Sequence, residues 1–225
     1  MSSNCVKYLF FSEALGQQNE SVRLAIKKFA TDKGLFDESL NERVLRSNIN
    51  LGHIYTRPDN KGRYMDVKSP YEVNRCVTDR LKAPSDLNQG KAFIDCDESE
   101  INNAFVLLDK FVTEQILGTE CLGRFKKKLE SKDFCLGFIQ FITIEPEQRL
   151  KSHADGNVYG DLVAVFCVQG NSINTISGVE FELKQGEMYI FDSAQWHCVD
   201  CSMCKETRFA VSLRYYVNPE IVDSI

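Results

Sequence analysis

The sequence predicts a mainly β protein, an antiparallel sandwich or barrel in its C-terminal half, with helices of the N-terminal half packed on it. Three observations lead there. From Phe134 onward the chain breaks into short apolar stretches of period-two alternation separated by polar turns. Ahead of them lie two stretches whose apolar residues recur at helical spacing. No repeat, low-complexity tract or convincing linker divides the 225 residues. That length suits one domain spanning 1–225, with 1–133 as helical support and substrate-recognition loops and 134–217 as the β-core.

Taken in order, VKYLFF at 6–11 reads as a short strand or apolar brace. A helix should follow, capped by Asn19 or Ser21, with Val22, Leu24, Ala25, Phe29 and Leu35 as its apolar stripe and an end near Gly34. Residues 40–90 are less regular; Pro58-Asp59-Asn60-Lys61-Gly62 has turn chemistry and could be a hairpin tip between IYTR and RYMDV. Asp97 or Ser99 then caps a second helix through about 117, striped by Ile101, Ala104, Phe105, Leu108, Phe111, Val112 and Ile116, with Gly118 as its stop. Strands are expected in DFCLGFIQFITIEP, LKSH, DLVAVFCVQ, GVEFEL, EMYIFD, HCV and TRFAVSLRYYV.

A hydrophobic share of 43% and a charged share of 26% are globular values, so a real core is expected rather than disorder. The formal net charge of -5 gives no overall footprint for a polyanion, although a local basic groove around Arg43, Arg46, His53, Arg57, Lys61 and Arg63 stays open. The N-terminus lacks the charge pattern of a secretory signal, and no window approaches the roughly 18 apolar residues of a membrane span, so a soluble intracellular protein is expected, in cytoplasm or nucleus. The 9 cysteines read as reduced thiols, mostly small buried hydrophobes. Cys198, Cys201 and Cys204 have the spacing of an iron–sulfur run, but Arg208 stands where a fourth cysteine would be wanted. Loop thiols are the preferred reading of these three, with a second metal site as the alternative.

The chemistry concentrates in residues 150–216. His153 and Asp155 are two apart, so on an extended segment both side chains share one face and can bind one ion. His197, on a later strand, would complete a triangle of two imidazoles and a carboxylate, the donor set that holds non-haem Fe(II) with open coordination positions. Arg208 opens the strand RFAVSLRYY, where Arg208, Ala210, Ser212 and Arg214 alternate with Phe209, Val211, Leu213 and Tyr215. An inward arginine there is suited to grip a carboxylate.

The order His-x-Asp, a turn before GEMYIFDS, His197 and then RFAVSL resembles the Fe(II)/2-oxoglutarate-dependent dioxygenases over roughly residues 134–217. The resemblance implies a double-stranded β-helix, the jelly-roll or cupin-like core. It further implies that His153, Asp155 and His197 bind Fe(II) and act in catalysis, and that Arg208 binds the far carboxylate of 2-oxoglutarate. Such enzymes couple decarboxylation of 2-oxoglutarate to hydroxylation of an unactivated C–H bond, using O2 and releasing succinate and CO2, with ascorbate a candidate reductant. TRFAVSLRYY is similar to the last core strand of prolyl hydroxylases, and FDSAQWHCV to a strand of amino-acid hydroxylases. Arg208 and Arg214 also have the R-x5-R spacing of AlkB-type nucleic-acid demethylases, although Ala210 replaces the usual asparagine.

Further co-substrate contacts are expected from Gln140, Tyr189 and Ser212, and substrate contacts from Arg214, Asn157, Tyr159, Trp196 and Arg57. The acidic balance favours a protein or small-molecule substrate, with nucleic acid as the alternative and no membrane partner. The rival from another class is a non-catalytic β-barrel binding module, with His153 on its surface and His197 satisfied in its core.

Overall fold

The computed structural model describes residues 7–32, 44–50, 72–77, 99–117, 134–155 and 162–217, with the strands at 44–50 and 72–77 described by backbone alone. Strand β1 (Tyr8–Phe11) and a 3-10 turn at Gly16–Gln18 lead into helix α1 (Asn19–Asp32). Strands β2 (Val44–Asn50) and β3 (Glu72–Val77) precede helix α2 (Ser99–Leu117). The chain then forms β4 (Phe134–Ile144), β5 (Arg149–His153), β6 (Leu162–Gln169), β7 (Asn171–Ile176), β8 (Val179–Lys184), β9 (Met188–Asp192), β10 (His197–Asp200) and β11 (Arg208–Val217).

Seven strands make a large sheet in the order β1-β9-β6-β11-β4-β2-β3, and four make a smaller one in the order β5-β10-β7-β8. The pairings in both sheets are antiparallel. The result is the expected β-core with helical support: two helices, the large sheet and the small sheet form three layers.

Strand alternation sorts the large sheet into two buried faces. Leu162, Ala164, Phe166 and Val168 of β6 join Phe209, Val211, Leu213 and Tyr215 of β11 in a cluster with both helices. Val163, Val165, Cys167 and Ala210 point the other way and pack with Ile176 and Leu183 of the small sheet. Covered on both sides, β6 can be almost continuously apolar, where a half-exposed strand would alternate. Phe141 anchors the helix side through ring contacts with Phe29, Phe105 and Phe209. Tyr215 ties α2 to β11 by donating its hydroxyl to Asp109 at 2.7 Å.

Helix α2 buries Ile101, Ala104, Phe105, Leu108, Val112 and Ile116, with Phe111 partly buried, so its stripe is as expected. Helix α1 departs in two details. Its buried face is Val22, Ile26, Phe29 and Ala30, while Leu24 is 58% exposed because it sits about half a turn away from Val22. Asn19, expected as a cap, is the first helical residue and instead donates Nδ2 to the carbonyls of Ala14 and Gly186, both at 2.7 Å. It thereby pins the helix to the turn between β8 and β9, where Gly186 (φ +85) leaves room: a Cβ there would meet Asn19 Oδ1 at 2.7 Å.

Three strands were not anticipated. Within the 40–90 stretch, β2 adds to β4 and β3 to β2, widening the large sheet. The third is β7, whose NSINTI buries Ser172, Asn174 and Ile176; two of its three inward residues are polar, so the apolar period that marks a strand is missing. The anticipated hairpin tip at 58–62, Leu35 and Gly118 lie outside the described residues. Among the described residues no helix is long and apolar enough to cross a membrane.

Candidate metal centre

The small sheet brings two histidines together. β5 ends on His153 and β10 begins on His197, and the two are register partners across neighbouring antiparallel strands. Their ring centroids lie 4.3 Å apart. Asp155 follows just beyond the end of β5, its backbone N–H donating to Ser193 O at 3.1 Å, which fixes the chain as it leaves the sheet. One ligand atom from each of His153, Asp155 and His197 falls within 4.8 Å of the others, the one such grouping of metal-binding side chains found among the described residues.

The protonation pattern suits a cation. His153 Nδ1 lies 2.7 Å from Lys151 O and His197 Nδ1 2.9 Å from Gln195 O. A carbonyl only accepts, so each Nδ1 carries the hydrogen, which leaves each Nε2 as the nitrogen that can offer a lone pair to a metal. Those Nε2 atoms lie 3.3 Å and 3.6 Å from the Asp155 carboxylate oxygens. Three lone-pair donors facing one another repel unless a positive charge lies between them. Burial pushes the His197 pKa down to about 4, against the pull of Asp155, which keeps the ring neutral at physiological pH. For Asp155 burial acts upward, but the Arg214 guanidinium, by charge and hydrogen bond, outweighs it and holds the carboxyl well below its usual range.

A cavity between the sheets opens beside this triad, lined by His153, His197, Gln140, Tyr189, Arg208, Ser212 and Arg214 with apolar walls that include Ile142, Leu150, Val163, Val165 and Phe191. Arg214 Nη1 donates to Asp155 Oδ2, and Nη2 donates to Gln140 Oε1 at 3.0 Å. Arg214, anticipated at the substrate, is thus committed to the triad carboxylate, and Gln140 is its second anchor. Arg208 differs. It is 1% exposed and forms no ion pair among the described residues. Its one hydrogen bond runs from Nε to Ser172 Oγ at 3.0 Å, and its Nη1 has no partner. Among the described residues, the buried thiols and phenol around it supply no counter-charge. Burial pushes the Cys167 thiol up to about 11, the Cys201 thiol up to about 12 and the Tyr189 phenol up to about 12, so all stay neutral. Ser212 Oγ and Arg214 Nε are also buried without partners. Buried polar groups are normally satisfied, and an unpaired buried cation is costly. Three unpartnered polar atoms on one face of β11, on residues that line the cavity next to the triad, leave hydrogen-bonding capacity that an anion would satisfy.

Ser172 and Asn174 were missed from the sequence because β7 was missed. Tyr189, anticipated in the site, lines the cavity with its ring and turns its hydroxyl to Asn174 Oδ1 at 3.3 Å. Trp196, next to His197, is 63% exposed and lies outside the cavity lining. Arg57, Asn157 and Tyr159 lie outside the described residues. Cys198 is half-buried and alternates with the inward His197 and Val199, so it faces away from the triad as expected. Cys204 donates to Asn171 O at 2.9 Å. No grouping of Cys198, Cys201 and Cys204 as metal ligands is found among the described residues.

No protein-family model matches this sequence, and no curated protein does. Solved structures do match. A prolyl hydroxylase from Trichoplax adhaerens, in complex with a hypoxia inducible factor oxygen degradation domain peptide fragment, has a TM-score of 0.53 at 12% identity, over 97% of this chain and 87% of that one. IDO from Bacillus thuringiensis has a TM-score of 0.51 at 15% identity, over 94% and 90%. The fold these similarities show is an antiparallel jelly-roll-like β-core. A cupin 2 conserved barrel domain protein from Leptotrichia buccalis matches over 38% of this chain at a TM-score of 0.30, and the matched part spans 36% of that protein's length.

Proposed function

We propose that this protein is an Fe(II)- and 2-oxoglutarate-dependent dioxygenase that hydroxylates an unactivated C–H bond of a protein side chain or small molecule. The observation that carries the reading is Arg208, a buried guanidinium with no ion pair and an unpartnered Nη1 among the described residues, on a residue that lines the cavity beside the His153, Asp155, His197 triad. Such a pairing suits a ligand that chelates a metal at one end and carries a carboxylate at the other. 2-Oxoglutarate is that ligand, and the structural similarity to a prolyl hydroxylase agrees.

His153 and His197 would hold Fe(II) through Nε2 and Asp155 through its carboxylate; when bound, the iron supplies O2 activation coupled to oxidation of 2-oxoglutarate. Atoms balance with C–H, O2 and 2-oxoglutarate entering and C–OH, succinate and CO2 leaving. Arg208 binds the far carboxylate through its guanidinium, with the Ser212 hydroxyl as a second donor. Arg214 holds Asp155 Oδ2 and so turns Oδ1 toward the metal position. The apolar wall of Ile142, Leu150, Val163, Val165 and Phe191 limits water in the site. Trp196, exposed next to His197, is assigned a substrate contact, as Arg57, Asn157 and Tyr159 are from the sequence. Ascorbate would serve as reductant.

Succinate release from 2-oxoglutarate in the presence of Fe(II), followed together with Fe(II) and 2-oxoglutarate binding, tests this reading. The His153→Ala, Asp155→Ala double variant should lose both metal-dependent binding and turnover; wild-type protein indistinguishable from it would defeat the assignment. One observation favours a second reading. Arg208 and Arg214 share one cavity, at the spacing of nucleic-acid demethylases, and salt-dependent binding of single-stranded nucleic acid would move the substrate class there.

A further inference from the structure

The polar residues of β7 do not line the cavity, yet they are among the most buried polar side chains described: Ser172 is 1% exposed and Asn174 0%. They form a chain. Tyr189 Oη donates to Asn174 Oδ1 at 3.3 Å, Asn174 Nδ2 donates to Ser172 Oγ at 2.9 Å and to Ser172 O at 3.2 Å, and Arg208 Nε donates to the same Ser172 Oγ at 3.0 Å. The chain links β9, β7 and β11, and so crosses from the large sheet to the small one and back.

We propose that Ser172 and Asn174 are positioning residues that fix the reach of the Arg208 guanidinium and thereby set which dicarboxylate length the site accepts. The inference rests on the dioxygenase reading above. An arginine has four rotatable side-chain bonds, and a guanidinium held only by a ligand could follow that ligand to different depths. Tethering Nε removes this freedom. It leaves Nη1 as the free donor and fixes its distance from the triad. Asn174 in turn holds Ser172: with both lone pairs of its Oγ engaged by Nδ2 and by Nε, the serine hydroxyl cannot rotate away from Arg208 without losing a buried hydrogen bond. The backbone of β11 is held as closely. Gly170 (φ +76), in the turn between β6 and β7, packs so tightly that a Cβ would meet Arg208 Cα at 3.2 Å. On this proposal the fixed guanidinium is met by a five-carbon 2-oxo dicarboxylate chelating at the triad and missed by the four-carbon one, which is a methylene shorter. Preorganisation of this kind places its gain on the matching ligand alone.

The test is calorimetric binding of 2-oxoglutarate and of oxaloacetate to the Mn(II)-loaded full chain, with Mn(II) affinity and thermal melting measured in parallel. Ser172→Ala is expected to weaken 2-oxoglutarate binding about tenfold while oxaloacetate and Mn(II) affinities move less than about twofold, so that the ratio between the two acids collapses. Ser172→Thr keeps the hydroxyl and should restore the ratio. An unchanged ratio in Ser172→Ala overturns the proposal and leaves the dioxygenase reading standing. Equal loss for both acids in the Ala and Thr variants also overturns it, since that is the mark of a merely structural role. Wild-type protein that takes Mn(II) but not 2-oxoglutarate defeats both. Should Ser172→Ala fail to fold, Asn174→Ala replaces it with the same criteria, a smaller fall in the ratio supporting the proposal and an unchanged ratio overturning it.

Discussion

The two faces of β11 are both buried, yet one is filled by apolar packing and the other holds unpartnered polar groups. Phe209, Val211, Leu213 and Tyr215 enter a closely packed apolar layer beneath the helices. Arg208, Ser212 and Arg214, one residue out of step, leave three polar atoms unpartnered between the sheets. Both faces are buried to a similar degree, so burial alone does not separate them. What separates them is whether the buried groups satisfy one another. The helix side is complete in itself, whereas the inner side leaves donors open, which is where the proposed co-substrate would bind. On that reading one strand carries stability on one face and the proposed site on the other, with the helix side supplying the rigidity that holds the uncompensated side in place.

Variants on either face should separate these roles. The largest effect is expected on the helix side: Phe141→Ala, which removes a ring touching Phe29, Phe105 and Phe209, should lower unfolding free energy by about 3–5 kcal/mol in denaturant titrations. 2-Oxoglutarate affinity per folded molecule should stay within about twofold. A parallel loss of affinity in the folded fraction would mean the faces are not independent.

Acid should act on the inner side next. In metal-free protein the folded-state pKa of His197 is depressed to about 4, below its unfolded value near 6.5. Stability from the neutral ring is therefore fully present above about pH 6.5 and declines as pH falls from there toward 4, by up to about 3 kcal/mol. Denaturation midpoints at pH 7 and pH 5 should show this decline in wild type and a much smaller one in His197→Gln. A similar decline in both would place the acid sensitivity elsewhere.

Arg208→Leu is the substitution that most clearly opposes the two roles. Replacing an unpaired buried cation by an apolar side chain should leave stability unchanged or raise it by about 1–3 kcal/mol, while 2-oxoglutarate binding is lost. Destabilisation would instead mean that the fold relies on the arginine. At the small end, Leu24→Ala on the exposed side of α1 should shift stability by less than about 0.5 kcal/mol, because the α1 core is Val22, Ile26, Phe29 and Ala30.

Much of this was legible in the residues themselves. α2 shows its stripe plainly because Ile101 through Ile116 include strong apolar residues at helical spacing, and β11 shows both its faces because small or charged residues alternate with bulky ones from Arg208 to Tyr215. β7 was illegible for the opposite reason, since NSINTI places Ser172 and Asn174 where a core strand is expected to place apolar side chains. Leu24 misled because an apolar residue within a helix need not lie on its buried face. The sequence by itself determined the type of core, the spacing of His153 and Asp155 and the alternation of β11, since these depend on period and residue chemistry along the chain. Only the tertiary structure decided that His197 lies opposite His153, that Arg214 is neutralised by Asp155 while Arg208 is not, and that Ser172 holds Arg208. Those are pairings between strands distant in sequence, fixed by register and sheet order, and no local period encodes them.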